Sequence, residues 1–410
     1  MIKNRVVVTG LGVVAPNGIG AEAFWESLVK GKSGIGPITF FDTHGLKSRI
    51  AGEVKGFDPQ KYIGHHVKPY QLARHTQLAL AAAKMALLDA CFEPKQHLED
   101  SISVVLGVST SALDLVEKGV QQWIQKGPQF VTPHAASDSS PQIVTSTIAK
   151  IIGNNSQTIT ISTSCTSGLD AIGSAMDLIR SGKTDIAITG GSDSPITPSA
   201  FAAFTAAGLV SCRNDEPSKA SRPFDLERDS GVISEGAGII ILENLEHALA
   251  RGVKPYLEVI GHGTSMDQSE DASASGLENS MRTAIANANK KTYDIHYICA
   301  HGAGHPILDR VETAMIKRVF EKRAYSIPIS SIKGVMGNPL AAAGPLQVIT
   351  CALAIKNQLI PPTANYEKPD PECDLDYVPK EARLANISCA LINAHGIGGG
   401  NSSVVVERVS

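Results

Sequence analysis

Residues 158–191 read TITISTSCTSGLDAIGSAMDLIRSGKTDIAITGG, and the fold turns on this stretch. It opens on a β-branched apolar run and closes on a second one, DIAITGG at 185–191. Between them Leu169, Ile172, Met176 and Ile179 are spaced three, four and three apart, which puts them on one face of a helix. The spacing predicts strand, helix, strand, with one helix face in the core. Cys165 falls in the turn before the helix, among Ser162, Thr163, Ser164, Thr166 and Ser167, small hydroxyl residues suited to a tight turn and to helix capping. Free N–H groups and the positive dipole end at a helix N-terminus favour thiolate over thiol, and the thiolate is the nucleophile. The same N–H groups can hold an oxyanion. Taken alone, a cysteine in such a chain is more often a small buried apolar residue. Its context must decide.

The same grammar extends both ways. Apolar runs bounded by Gly or Ser occur at 5–10 (RVVVTG), 103–109 (SVVLGVS) and 238–244 (GIIILEN), with helical patterns between them. Runs of this kind predict strands buried on both faces of a mainly parallel α/β sheet. After about residue 255 the pattern restarts: YLEVIGHG at 256–263, a helical stretch near 276–290, IHYICAHG at 295–302, a helix over 309–323, IPISSIKG at 327–334 and VVVERV at 404–409. Two similar halves, 1–255 and 256–410, are expected. Segments 40–70 and 110–142 have weak periodicity and read as long insertions that cover a site or a subunit interface.

Composition sets bounds. With 43% apolar and 19% charged residues, and with 37 glycines and 22 prolines spread along the chain, this is an ordinary globular composition. A net charge of −3 gives no electrostatic reason to expect a nucleic-acid or acidic-membrane partner. The seven cysteines are odd in number and lack a CxxC pair, so reduced thiols are expected rather than a disulfide framework or zinc site. The N-terminal run lacks a signal-type cleavage region, and no apolar stretch approaches the roughly 20 residues that span a bilayer. A cytoplasmic protein without membrane association is expected.

Two motifs are decoys. Gly10-Leu-Gly12-Val-Val-Ala15 matches the dinucleotide fingerprint, but Pro16, Asn17 and Gly18 intervene where its helix should begin. His301, His305 and Asp309 have metal-ligand types at spacings of four, yet Gly302, Gly304 and Pro306 break any helix that would align them. No metal is expected.

The segment around Cys165 resembles the active-site region of the β-ketoacyl-acyl-carrier-protein synthases, in particular the elongating type II branch of fatty-acid and polyketide synthesis. The resemblance extends to RVVVTGLGVVAPNG at 5–18, ITPSAFAAFTAAGLVS at 196–211, RNDEPSKASRPFD at 213–225 and RDSGVISEGAGIIILENLEHALARG at 228–252. HGAGHPILDRVE at 301–312 is similar to the family's histidine loop, SSIKGVMGNPLAAAG at 330–344 to its lysine loop, and NAHGIGGGN at 393–401 to its last glycine-rich loop. The resemblance implies a thiolase-like, duplicated, five-layered αβαβα fold. It also implies a homodimer or a heterodimer with a chain-length-factor-like subunit, and acyl groups delivered on the phosphopantetheine arm of an acyl carrier protein, with no bound cofactor.

Carried over, Cys165 accepts the acyl chain, and the backbone N–H groups of Cys165 and Ile397 bind the thioester oxyanion. His301 stabilises the enolate left when a malonyl group loses CO2, Lys333 orders the site by its charge, and Glu312 helps hold that network. As isolated residues, Lys333 and Glu312 read as solvated charges. The family's second histidine is here Asn338, so the catalytic set becomes Cys165, His301 and Asn338, and an amide N–H can still donate to a thioester oxygen. Two hydroxyl residues of the family's HGTST loop are replaced by Ala303 and His305. The family's aromatic gate is Ile397, preceded by His395, and an aromatic near the acyl pocket is Gly231, which implies added space around Cys165. Phe201 completes the expected pocket. His305 or His395 is available to take the place of the lost histidine, or merely lines the pocket. Three activities stay open: a decarboxylating ketosynthase, a non-elongating acyltransferase, and a silent partner subunit, the last opposed by retention of Cys165, His301 and Lys333.

Overall fold

The computed structural model describes residues 4–63, 68–94, 101–153, 156–268 and 275–410. Five strands on the path of the main sheet lie in the first part of the chain: β1 (Val6–Ala15), β2 (Ile102–Gly107), β3 (Gln157–Ile161), β4 (Ile186–Asp193) and β5 (Gly236–Asn244). Five follow: β6 (Leu257–Met266), β7 (Tyr297–Cys299), β8 (Ile329–Ser330), β9 (Cys389–His395) and β10 (Gly400–Glu407). They run in the order β8-β7-β9-β10-β6-β1-β5-β4-β2-β3. The first five are thus ordered 3-2-4-5-1 and the second five 8-7-9-10-6, the same path taken twice. The two sets meet where Val7 and Val8 of β1 pair with Glu258 and Leu257 of β6.

The sheet is mixed rather than mainly parallel. Parallel pairing is confined to β2 with β3 and β4, and to β7 with β8 and β9; β1, β5, β6 and β10 pair antiparallel with their neighbours. Burial on both faces makes a strand apolar throughout whatever its direction, so the sequence pattern was blind to this. β9, which no apolar pattern announced, carries the buried polar residue Asn393 in its middle.

Helices α1 (Arg74–Asp89), α2 (Ser167–Arg180), α3 (Ser275–Asn287), α4 (Leu308–Phe320) and α5 (Ala343–Asn357) form the layers. Alternation along β5 shows how. Ile240 and Leu242 pack with Leu169, Ile172, Met176 and Ile179 of α2 and with Leu346 and Ile349 of α5, in the middle layer. Ile239 and Ile241 point the other way, onto Leu78, Ala82 and Ala86 of α1. In the second set Val404 and Val406 face the middle layer, and Val405 faces Met281 of α3 and Met315 of α4. Helix, sheet, helix, sheet, helix results, the expected five layers.

The decoy glycines have a packing role. β1 runs on through Ala15, and a Cβ at Gly10 or Gly12 would stand 2.2 or 1.9 Å from the Ala86 or Ala82 carbonyl oxygen of α1. They let a helix lie close on a strand. The run Leu340–Asn357 is 18 residues long and apolar enough to cross a membrane, longer than the sequence suggested, and 89% of it is buried in this fold. Segment 110–142 is not structureless: it holds the helices Leu113–Lys126 and His134–Asp138. Within 40–70 the described regular pieces are short, Ile50–Ala51, the helix Pro59–Ile63 and the start of a 3-10 turn at Pro69–Gln71, and residues 64–67 lie outside the described residues.

Candidate active site

Cys165 stands in the turn from β3 to α2, and that turn is strained. Ser164 has φ of +61°, the left-handed region that residues with a Cβ rarely adopt. Hydroxyls hold it there: Ser167 Oγ accepts the Thr163 N–H at 2.8 Å and donates to the Ser164 carbonyl at 2.6 Å, and Thr166 Oγ1 donates to the Thr163 carbonyl at 2.7 Å. Thr166, at the cap position, makes no side-chain bond to the helix N–H groups, so these hydroxyls build the turn instead of capping the helix.

The Cys165 side chain is 3% exposed, and the Ile397 N–H points at its sulfur. Burial pushes the thiol above its ordinary range; the Lys333 charge, Ser164 and the Ile397 N–H pull it back, and Asp193 adds to the rise. The helix-end argument alone favours thiolate. Desolvation is the larger effect here, and the resting group is a thiol.

His301 begins the loop after β7 and is almost wholly buried. Its Nδ1 accepts the His395 backbone N–H at 3.1 Å and lies 3.4 Å from Lys333 Nζ, so the proton belongs on Nε2. Lys333 Nζ also donates to the His301 carbonyl oxygen. Glu312 on α4 accepts the N–H groups of His301 and Gly302 and the side-chain amide of Asn393. Lys333 is 1% and Glu312 3% exposed, so neither is a solvated charge. Burial lowers the Lys333 pKa, raises that of Glu312, and with the Lys333 charge holds His301 well below its usual range. A neutral imidazole results, its Nδ1 occupied as an acceptor and its Nε2–H left as the donor.

A cavity of about 240 Å³ brings together Cys165, His301, Asn338, His305, His395 and Ile397, with Gly231 and Ala303 also in its wall. Asn338 Oδ1 is buried with no hydrogen-bond partner among the described residues. The room anticipated at Gly231 is partly filled, because an added Cβ there would stand 2.5 Å from the Ala303 carbonyl oxygen. Phe201 is a correction: it is fully buried, packs in the apolar cluster behind Cys165 and does not line the cavity, whereas Phe204, three residues on, does. His305 accepts at Nδ1 from the N–H groups of Ile307 and Leu308, tying it to the start of α4.

Asp193, Asp267, Asp309 and Asn401 were not legible as site residues. Asp193 ends β4 and accepts from Ala341, Ser109 and Thr110, clamping the lysine loop beside Cys165; burial pushes its carboxyl up to about 7. Asp309 accepts the Phe224 and Gly304 N–H groups, which engages it in loop structure rather than as a ligand. Asp267 and Asp309 carry only a positional signal, an acidic residue one step after a strand and one at the head of a helix, whereas Asp193 closes β4 and Asn401 lies second in β10.

A model of the β-ketoacyl synthase N-terminal domain matches residues 3–248, and one of the C-terminal domain matches 256–367. The chain is 41% identical to the putative polyketide beta-ketoacyl synthase 1 of Streptomyces halstedii, over 99% of this chain and 98% of that one. It is 38% identical to 3-oxoacyl-(acyl-carrier-protein) synthase 2 of Vibrio cholerae, over 100% of both chains. Among solved structures, the ishigamide ketosynthase/chain length factor superposes with a TM-score of 0.93 at 34% identity, over 100% of both chains. A type II polyketide ketosynthase in complex with its acyl-carrier protein and bound to the hexaketide gives 0.91 at 34%, over 99% of this chain and 100% of that one. Two domain models that together cover most of the chain, and relatives alike from end to end, show that the chain belongs to the β-ketoacyl synthase family of acyltransferases.

Proposed function

We propose that this chain forms a C–C bond by decarboxylative Claisen condensation, with Cys165 as the acyl carrier. The acyl group passes from the pantetheine thiol of an acyl carrier protein to Cys165, and its carbonyl oxygen sits between the N–H groups of Cys165 and Ile397. A malonyl-type extender then loses CO2. Nε2–H of His301 and the side-chain amide of Asn338 donate to the enolate oxygen, and the enolate carbon attacks the thioester carbon as the Cys165 sulfur leaves.

One observation carries this reading: His301 Nδ1 accepts from His395, which leaves Nε2–H as a donor lining the cavity that also holds Cys165. Lys333 and Glu312 hold the histidine loop and act on the chemistry only through it. The structurally similar ketosynthase in complex with an acyl-carrier protein and the ketosynthase/chain length factor support a carrier-protein substrate and a paired subunit, either a second copy or a chain-length-factor-like chain. Whether primary lipid or polyketide synthesis is served, both sets of relatives fit.

Asn338 keeps a second reading alive, a non-elongating transfer of the Cys165 acyl group to another thiol, amine or hydroxyl. Its unpartnered Oδ1 is the observation that favours it, since that oxygen can orient an acceptor N–H or O–H. Intact-mass analysis separates the two. Condensation requires an acyl adduct on Cys165 and then, with malonyl carrier protein, CO2 and a β-ketoacyl product. An adduct without elongation establishes the transferase, and no adduct leaves a partner subunit.

A further inference from the structure

Three imidazoles line the cavity beside Cys165, and their partners fix two different tautomers. His301 accepts at Nδ1 from the His395 N–H at 3.1 Å, and His305 accepts at Nδ1 from Ile307 and Leu308 N–H at 3.2 and 3.4 Å. A neutral imidazole whose Nδ1 accepts carries its proton on Nε2. Both can therefore only donate at Nε2.

His395 is arranged the opposite way. Its Nδ1 lies 2.9 Å from Asn401 Oδ1. The Asn401 amide is oriented by two acceptors, because its Nδ2 donates to Asp267 Oδ1 at 2.8 Å and to the Gly399 carbonyl at 3.0 Å. Its oxygen thus faces the imidazole, Nδ1 of His395 holds the proton, and Nε2 keeps the lone pair. Asp267 is itself held, accepting the Gly276 N–H at 3.1 Å while its own N–H donates to the Gly399 carbonyl at 2.9 Å. Its second carboxylate oxygen stands 4.0 Å from His395 Nδ1. Carboxylate, amide and imidazole form a line that fixes the ring and its tautomer.

Among the described residues that line the cavity, no other group offers a basic lone pair. The Asn338 amide is not a base, Glu312 is engaged by three N–H donors and Lys333 is directed at the His301 carbonyl. Cys165, meanwhile, rests as a thiol and must lose a proton to react.

We propose that His395 is the proton acceptor of this pocket: its Nε2 takes the Cys165 proton as the sulfur attacks the acyl thioester and returns it to the departing pantetheine sulfur. The Cys165 S–C bond forms, the carrier's C–S bond breaks, and the proton ends on the released thiol with no net uptake. Asp267 and Asn401 are positioning residues. The acyl step rests on the ketosynthase reading; the deprotonation does not.

The test exploits that difference. Alkylation of Cys165 by iodoacetamide needs no carrier protein, and its rate is measured across pH for the full chain and for His395→Gln. The wild type is expected to react at neutral pH, and His395→Gln to be slower there by about 100-fold, recovering only at alkaline pH where the thiol ionises unaided. The charged and titratable groups around the ring are His301 after β7, Lys333, Glu312 on α4, Asp267 after β6 and Cys165 itself, so each variant is compared with the wild type at every pH of the profile. Asp267→Asn keeps the shape and removes the charge that orients the Asn401 amide; a drop of about tenfold in the rate at neutral pH is expected. Single-turnover acylation by acyl carrier protein should fall by the same factors. Superimposable alkylation profiles for wild type and His395→Gln overturn the proposal, and if His395→Gln does not fold, an unchanged Asp267→Asn profile does so. Displaced profiles in a protein that accepts no acyl group keep His395 as the base and remove the ketosynthase reading alone.

Discussion

Glu312 accepts the backbone N–H groups of His301 and Gly302 at 2.9 and 2.7 Å, so one buried carboxylate fixes the loop on which the imidazole stands. It also faces the buried Lys333 charge. Replacement by alanine leaves that charge and two buried N–H groups uncompensated, and the expected cost is about 3–5 kcal/mol. Urea unfolding of Glu312→Ala checks this, with Glu312→Gln expected to lose less because an amide oxygen still accepts. A loss below about 1 kcal/mol would contradict the assigned role.

Cys165→Ala should separate chemistry from stability. The sulfur borders a cavity, so its removal adds little new void, and a change within about 1 kcal/mol in unfolding is expected together with complete loss of acyl adduct by mass spectrometry. Residual adduct on the variant would place the nucleophile elsewhere.

Asp193 makes stability depend on pH. Its folded-state value of about 7 lies above the ordinary 3.8 because burial outweighs four hydrogen-bond donors. Folding therefore favours the protonated carboxyl: the contribution is complete below the unfolded value and is lost as pH rises through about 7. Relative to Asp193→Asn, which stays neutral, the wild type should weaken between pH 4 and 8 by up to about 4 kcal/mol. Parallel stability curves would mean that the donors keep Asp193 ionised throughout.

Gly231→Ala tests the wall of the cavity. The new methyl would stand 2.5 Å from the Ala303 carbonyl oxygen, which is backbone and cannot swing away. Overpacking of this kind costs about 1–3 kcal/mol. Thermal unfolding reads the cost, and the range of acyl chains accepted on Cys165 should narrow with it.

How much of this was written in the residues depends on which force placed them. Helix α2 was legible because Leu169, Ile172, Met176 and Ile179 all answer to one requirement, burial against a sheet, and each is buried. Strand direction answers to connection geometry, which apolar runs do not record, so a mixed sheet looked mainly parallel. β9 escaped notice because Asn393 bonds Ser403 and Glu312 deep inside, a polar position that breaks an apolar run without ending the strand. Cys165, His301, Lys333, Asn338 and Ile397 were named from motifs, whereas Phe201 was misplaced because in a helical turn only its neighbour Phe204 reaches the cavity. Asp193 and Asp267 sit apart from every motif, and their importance arises only when distant loops are folded onto them.

The twice-taken strand path divides the labour of the molecule. The thiol follows a strand of the first set, while the imidazole, the ammonium and the last glycine loop follow strands of the second, and among the described residues paired strands join the sets through Val7 and Val8 alone. A cut between Ala250 and Leu257 would leave two pieces, each with an intact sheet path and neither with a reactive centre. Mixing separately expressed fragments should therefore restore thiol reactivity only as they recombine, which makes this enzyme's chemistry a reporter of its own assembly.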